Sequence, residues 1–264
     1  FILKFKENSM KNICAKIALL TLIATTSHAV FDVNFTKNWG MQFKNPKEVL
    51  EYVKQFLPYA PIIVEAGAHH GDDTVNMKSV WPYATMHLFE PLPQSFKIMR
   101  KNLINIPQVH FYPLALSNHE GITEFHVNFA NTGACSINGP VHWNAAEFEK
   151  TPTQIHCSTL DTWAHLYDIS HVDFMWLDME GHELYALQGA KKLLYSVKAI
   201  YTEVSYIPVR VNSGNYKDVT ALLEEYGFTE VWRWDVGNGY GDALFIKKDL
   251  LNQDPSHPQA NSQH

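Results

Sequence analysis

The chain has 264 residues, close to half of them apolar, enough to bury one sizeable core. Its 27 Asp and Glu outnumber its 21 Lys and Arg, a formal net charge of −6, which argues against the basic surface that nonspecific nucleic-acid binding requires. There are three cysteines but no C-x-x-C or H-E-x-x-H spacing, so no zinc site is expected, and no other metal is assigned.

After Met10, Lys11 and Lys16 precede a short apolar run, residues 17–24, which leads into Thr25, Thr26, Ser27, His28 and Ala29. A basic segment, a short apolar segment and a small-x-small site make a secretory leader over residues 1–29, cleaved after Ala29. The run is too short to span a membrane. An N-terminal helix packed on the domain is the alternative. Cleavage would remove four Lys and one Glu and leave 17 basic against 26 acidic residues, net −9. The protein would then be exported, periplasmic or secreted, and otherwise cytoplasmic. In an exported chain Cys135 and Cys157 could pair and contribute about 2–3 kcal/mol; two unpaired, partly buried thiols are the preferred expectation.

Residues 30–60 form an N-terminal extension with Trp39 and a helix opened by Pro46. Val49, Leu50, Val53, Phe56 and Leu57 recur at helical spacing until Pro58, a stripe that covers the edge or mouth of a sheet. Pro61 then introduces Ile62, Ile63 and Val64, a buried strand ending at Glu65. Gly67 and Gly71 follow in a G-x-x-x-G turn, and Asp72, Asp73 and Thr74 supply N-cap residue types for a helix reaching Trp81. Strand, glycine turn and helix N-terminus make a nucleotide-sized cradle at the carboxyl edge of an α/β sheet.

Charge selects the nucleotide. A dinucleotide turn leaves its helix N-terminus free for a pyrophosphate. Here Glu65, Asp72 and Asp73 ring the turn and would repel one. They suit a ligand with an ammonium and a sulfonium, namely S-adenosylmethionine (SAM). Residues 86–89 form a second strand ending in Glu90 and Pro91, and Glu90 stands nineteen residues beyond Gly71, where a carboxylate holds a ribose diol.

Pro93 opens another helix, with Phe96, Ile98, Met99, Leu103 and Ile104 apolar, closed by Pro107. Residues 109–112 form a third strand, followed by Leu116 and Ser117. Strands separated by helices imply right-handed β-α-β units and a parallel sheet. Residues 118–157 break that rhythm. Residues 122–127 alternate like a strand, but 128–153 is rich in Asn, Gly, Pro and Thr, with Trp143 and Phe148 embedded. A loop of this length is an insertion near the site mouth, suited to acceptor specificity. A helix starts near Thr159, and residues 172–177 form a buried strand that runs into Asp178, Met179, Glu180, Gly181, His182 and Glu183. Ordinary turns carry one or two charges; three carboxylates and a histidine at a strand's carboxyl end mark a ligand site. A helix over 184–194 follows, then a strand over 199–204, then strands over 228–234 and 243–246 that close a hairpin. The tail, residues 249–264, is polar and expected to be disordered.

Taken together, Glu65 to Asp72, Phe89-Glu90-Pro91, residues 115–121, residues 158–161 and above all residues 177–183 with Gly189-Ala190 resemble the FkbM family of SAM-dependent methyltransferases, over roughly residues 60–247. The resemblance implies a class I methyltransferase domain over 61–248: a doubly wound, Rossmann-like α/β sheet of seven strands, the last antiparallel. By analogy Glu65, Gly67 and Gly71 hold the methionine part of SAM, with Ala68, His69 and Asp72 in the same turn; Glu90 and Pro91 lie at the ribose, and Leu116 and Ser117 near the adenine. Two departures stand out. Trp176 occupies a position where the family usually has a lysine, and the glycine turn carries two histidines, His69 and His70.

The chemistry expected is transfer of the SAM methyl to an acceptor hydroxyl on a small molecule or glycan, which needs alignment and removal of one proton. Asp178 is the first choice for the base, with Glu180, His182 and His69 behind it. Glu183 is equally suited to capping the following helix. Two other classes fit parts of the sequence. A nicotinamide-dependent oxidoreductase conflicts with the acidic turn; a non-catalytic exported domain on a methyltransferase scaffold would explain the leader.

Overall fold

The computed structural model describes residue 43 and residues 45–141, 145–235 and 239–252. The leader, Trp39, Trp143 and the tail beyond residue 252 lie outside the described residues. Helix α1 (Pro46–Val53) starts at Asn45, whose side chain accepts the Glu48 amide at 3.1 Å, with Pro46 in its first turn. It buries Val49, Leu50 and Val53 on one face of the sheet rather than along its edge.

The β-branched run after Pro61 is strand β1 (Ile62–Ala66), followed by α2 (Asp72–Val80), β2 (Thr85–Phe89), α3 (Pro93–Leu103) and β3 (Val109–Tyr112). The N-cap of α2 is Gly71, at φ 89°, with no side-chain cap. Asp72 and Asp73 therefore sit inside the first turn, not at the cap. Next come β4 (Ala115–Leu116), β5 (Gly121–Phe125), β6 (Thr153–Ser158), α4 (Leu160–Leu166), β7 (Phe174–Leu177), α5 (Glu183–Gln188) and β8 (Ala199–Ser205). Helix α6 (Tyr216–Glu225), β9 (Phe228–Asp235), β10 (Tyr240–Lys247) and α7 (Lys248–Leu251) complete the described chain.

Seven strands form one sheet in the order β3-β2-β1-β7-β8-β10-β9, parallel except for β10, which runs antiparallel to both neighbours. This is the class I methyltransferase arrangement. Strand order reverses between β1 and β7, where the crossovers diverge to opposite faces and leave a crevice at the carboxyl edge. Ile63, Phe174, Trp176 and Tyr201 face α1, α2 and α3, whereas Val64, Met175 and Ile200 face α4, α5 and α6. Both faces are covered, which is why the central strands read as unbroken apolar runs.

Four elements differ from the sequence expectation. The insertion is structured: β4, β6 and β5 form a second sheet with its own apolar cluster around Phe125, Val127, Ile155 and Cys157. The helix expected over 184–194 ends at Gln188, because Gly189 packs on the Ser117 carbonyl where a β-carbon would overlap it. Helix α6 was not among the expected elements, although Val219, Leu222 and Leu223 stand on it; it buries Val219 and Leu223 and packs Leu222 partly against the core. At the C-terminus order extends further than expected, since α7 buries Leu251. Cys135 and Cys157 are both buried and unpaired.

Candidate active site

Strand β1 delivers the glycine turn to the crevice. Gly67 adopts φ 81°, and its amide and that of Ala68 donate to the Phe89 carbonyl at 3.0 and 3.1 Å, which stitches the turn to the end of β2. From there Glu90 reaches back. Its two carboxylate oxygens accept the His69 amide at 3.0 Å and the Leu92 amide at 2.7 Å. Burial pushes the Glu90 carboxyl up to about 7 despite these two bonds.

A cleft of about 510 Å³ opens between this turn and the insertion. Gly67, His69, Glu90 and Pro91 form one wall, Leu116 and His182 a second, and Asp178 and Met179 the floor. Phe125, Thr132, Gly133, Cys135 and Ile137 form a roof supplied by the insertion. Glu65, Ala68, Gly71, Asp72, Ser117 and Glu180 are not among the lining residues. Glu65 lies behind the floor, 2% exposed, where it accepts the Thr74 hydroxyl at 2.6 Å and burial pushes it up to about 8. Asp72 is exposed on α2.

Asp178 follows β7, held by its amide to the Ala66 carbonyl at 3.0 Å. Its side chain is open to the cleft, yet protein surrounds it, and the residual desolvation together with Glu180, Glu183, Asp242 and Asp73 raises it well above the usual carboxylate range. Continuing the pairing of β7, β8 and β10 places it beside Glu203, whose partner across the next strand is Asp242. The oxygens of Asp178, Glu180 and Glu203 lie within 4.8 Å of one another, a spacing a divalent cation can bridge, although nothing else among the described residues asks for one. Glu180 turns away from the cleft to Arg210 at 2.7 Å, with its backbone left-handed at φ 56°. Glu183 folds back as a cap and accepts the Met179 amide at 2.7 Å.

His182 has both ring nitrogens engaged. The Asn138 amide nitrogen donates to the carbonyls of Val211 and Asn212, so its oxygen must face the ring, where Nδ1 donates at 2.6 Å. Nε2 then accepts the Ser117 hydroxyl at 3.0 Å, and burial holds the ring near 4, neutral at physiological pH. Ser117 is fully buried and does not line the cleft, unlike its neighbour Leu116. His69 is stacked on His70 with centroids 3.7 Å apart, and its Nε2 meets the Thr132 hydroxyl at 2.9 Å, joining the glycine turn to the roof. Trp176 is buried flat against Tyr201 at 3.9 Å, and the Tyr201 hydroxyl bonds Asp242.

The cleft thus offers two carboxylates, two histidines kept below their ordinary range, an apolar slot between Leu116 and the roof, and no Lys or Arg in its lining. That donor set fits a cationic ligand with one flat heterocycle, and it opposes a pyrophosphate. Thr132, Ile137, Asn138 and Arg210 were not legible in the sequence as site residues. Their segments carry no periodicity; for Thr132, Ile137 and Asn138 the one signal was the length of the insertion, and for Arg210, in the loop after β8, there was none.

The profile of the Methyltransferase FkbM domain matches residues 65–230. The 2-O-methyltransferase NoeI of Sinorhizobium fredii is 26% identical over 155 residues, which span 55% of this chain and 63% of that protein. Among solved structures, the N-terminal domain of EvdMO1 with SAH bound has 12% identity and a TM-score of 0.45, covering 78% of this chain and 81% of its own. The precorrin-6y C5,15-methyltransferase of Geobacter metallireducens GS-15 gives 12% and 0.45, covering 80% and 91%.

Proposed function

Because the chain belongs to the FkbM methyltransferase family, with S-adenosylmethionine as its cofactor, we propose that it methylates a hydroxyl group on a sugar or other small molecule. The observation that carries this reading is Asp178: a carboxylate at the cleft floor, open to the cleft, raised above the usual carboxylate range by burial and its acidic neighbours, and next to the glycine turn. When bound, SAM supplies an electrophilic methyl on a good leaving group. Glu90 would accept from the ribose hydroxyls, Leu116 and the roof would enclose the adenine, and the Gly67 turn would hold the amino-acid end. With SAM bound, Asp178 would orient the acceptor hydroxyl and take its proton as the methyl group is transferred, leaving S-adenosylhomocysteine. A carboxylate raised above its ordinary range is a stronger proton acceptor than a solvated one. Glu180 and His182 are committed to Arg210 and to Ser117 and Asn138, which leaves them positioning roles. That NoeI is a 2-O-methyltransferase supports a hydroxyl oxygen as acceptor.

The test is a screen of mono- and oligosaccharides with SAM, following S-adenosylhomocysteine release and methylated product by mass spectrometry. Asp178→Asn is expected to lower kcat by about 100-fold with cofactor affinity retained. Wild-type rates in Asp178→Asn would remove the base assignment, and cofactor binding without transfer to any hydroxyl would favour a non-catalytic role.

A further inference from the structure

Arg210 lies in the loop between β8 and α6, 5% exposed, and its backbone joins the insertion through a bridge to Pro140 and the Val211 amide to the Gly139 carbonyl at 2.8 Å. Its side chain continues inward. One terminal nitrogen donates both to the Ala134 carbonyl at 3.0 Å and to Glu180 at 2.7 Å, while the guanidinium lies over the Phe148 ring at 5.2 Å.

These acceptors belong to opposite walls. Ala134 stands between Gly133 and Cys135, which line the roof, and Glu180 follows Asp178 and Met179, which form the floor. The floor turn is also the strained part of the site, because Glu180 at φ 56° is a non-glycine residue in the left-handed region, followed by Gly181 at φ 96°. A charge-assisted bond from a buried guanidinium is strong enough to hold such a conformation. We propose that Arg210 is a positioning residue that fixes the width of the cofactor cleft by tying the roof at Ala134 to the floor turn at Glu180 through one guanidinium nitrogen. It reaches neither cofactor nor acceptor; it acts through Glu180 and the insertion.

The proposal is tested with two readouts. Arg210→Met keeps the apolar stem and removes charge and donors; its affinity for S-adenosylhomocysteine by calorimetry is expected to fall about tenfold or more. The double variant Glu180→Gln/Arg210→Met loses no more than Arg210→Met alone, because both changes break the same bond. In the ligand-free protein, amides of residues 128–137 exchange about tenfold faster in Arg210→Met, while β1 and β7 are unchanged. Arg210→Lys keeps the charge without the planar fork and recovers most of both losses, to within about threefold of wild type. If Arg210→Met does not accumulate, Glu180→Met, which removes the acceptor on the floor side of the same bond, carries both readouts. Unaltered affinity and exchange would overturn the proposal, as would acceleration spread equally over β1 and β7, the mark of general destabilisation. The affinity arm rests on the methyltransferase reading. Failure of the wild type to bind would count against that reading, and the exchange arm would still decide the role of Arg210.

Discussion

Gly67 and Asp178 stand so close across β1 and β7 that a β-carbon on Gly67 would overlap the Asp178 carbonyl oxygen. The same glycine sits at φ 81°, a conformation that L side chains rarely adopt. Gly67→Ala is therefore penalised twice, by strain and by displacement of the candidate base. A loss of about 2–4 kcal/mol in urea unfolding is expected, together with loss of cofactor binding. An unchanged midpoint would mean that the turn relaxes freely.

Glu90 gives a second, pH-dependent prediction. Burial raises its carboxyl to about 7, yet holding ribose hydroxyls beside a cationic ligand favours the ionised form. Binding then releases protons, and SAM affinity rises with pH up to about 7 and levels off above it. Calorimetry in buffers of differing ionisation enthalpy reads the proton release directly. Glu90→Gln is expected to weaken binding about tenfold and to flatten the pH dependence. Equal affinity in Glu90→Gln would place the ribose elsewhere.

Stability at mildly acid pH depends on His87. It is 3% exposed, stacked on His110 and bonded through Nδ1 to the Tyr112 hydroxyl at 3.0 Å. Burial, and secondarily His110, lowers it from 6.5 to about 4. Its folded pKa lies below its unfolded one, so the unfolded chain takes up the proton first. Stability is intact above pH 6.5 and is lost as pH falls toward 4, by an amount on the order of 3 kcal/mol. His87→Phe should lower stability at pH 7 but show a shallower decline between pH 7 and 5. A parallel decline in both proteins would assign the acid sensitivity to other groups.

The cysteines provide a chemical check. Burial pushes the Cys135 thiol up to about 11 and raises Cys157 as well, so both resist thiolate chemistry in the folded state. Iodoacetamide at pH 8 should label neither until denaturant is added. Fast labelling of Cys135 in native protein would show that the roof opens widely and often.

The central strands of the main sheet were legible because they are buried on both faces, as β1 and β7 are, and β1 is also bounded by Pro61 and Gly67. The turn after β7 was legible from its charge density. What escaped was structure with little apolar signal. In β6 only Ile155 and Cys157 are apolar, beside Thr153, Gln154, His156 and Ser158. Helix α6 escaped as well, although it did carry a signal, the Asn215 cap followed by Val219, Leu222 and Leu223. The cap of α2 misled for a different reason: acidic residues favour both the cap and the first turn, and only the backbone of Gly71 separates the two. His182 carried a catalytic expectation because a sequence cannot show that Ser117 and Asn138 already occupy both of its nitrogens.

The carboxylates gathered at the sheet edge also change how acidic the molecule is. Composition assigns a formal charge of −6, on the assumption that every Asp and Glu is ionised at pH 7. Glu65, Glu90 and Glu183 are raised to about 8, 7 and 7, and Asp178 and Glu203 are raised as well, so folding makes the chain retain protons that the unfolded chain gives up. The native protein is consequently less anionic than its own denatured form, and in isoelectric focusing it comes to rest on the alkaline side of the same chain in urea.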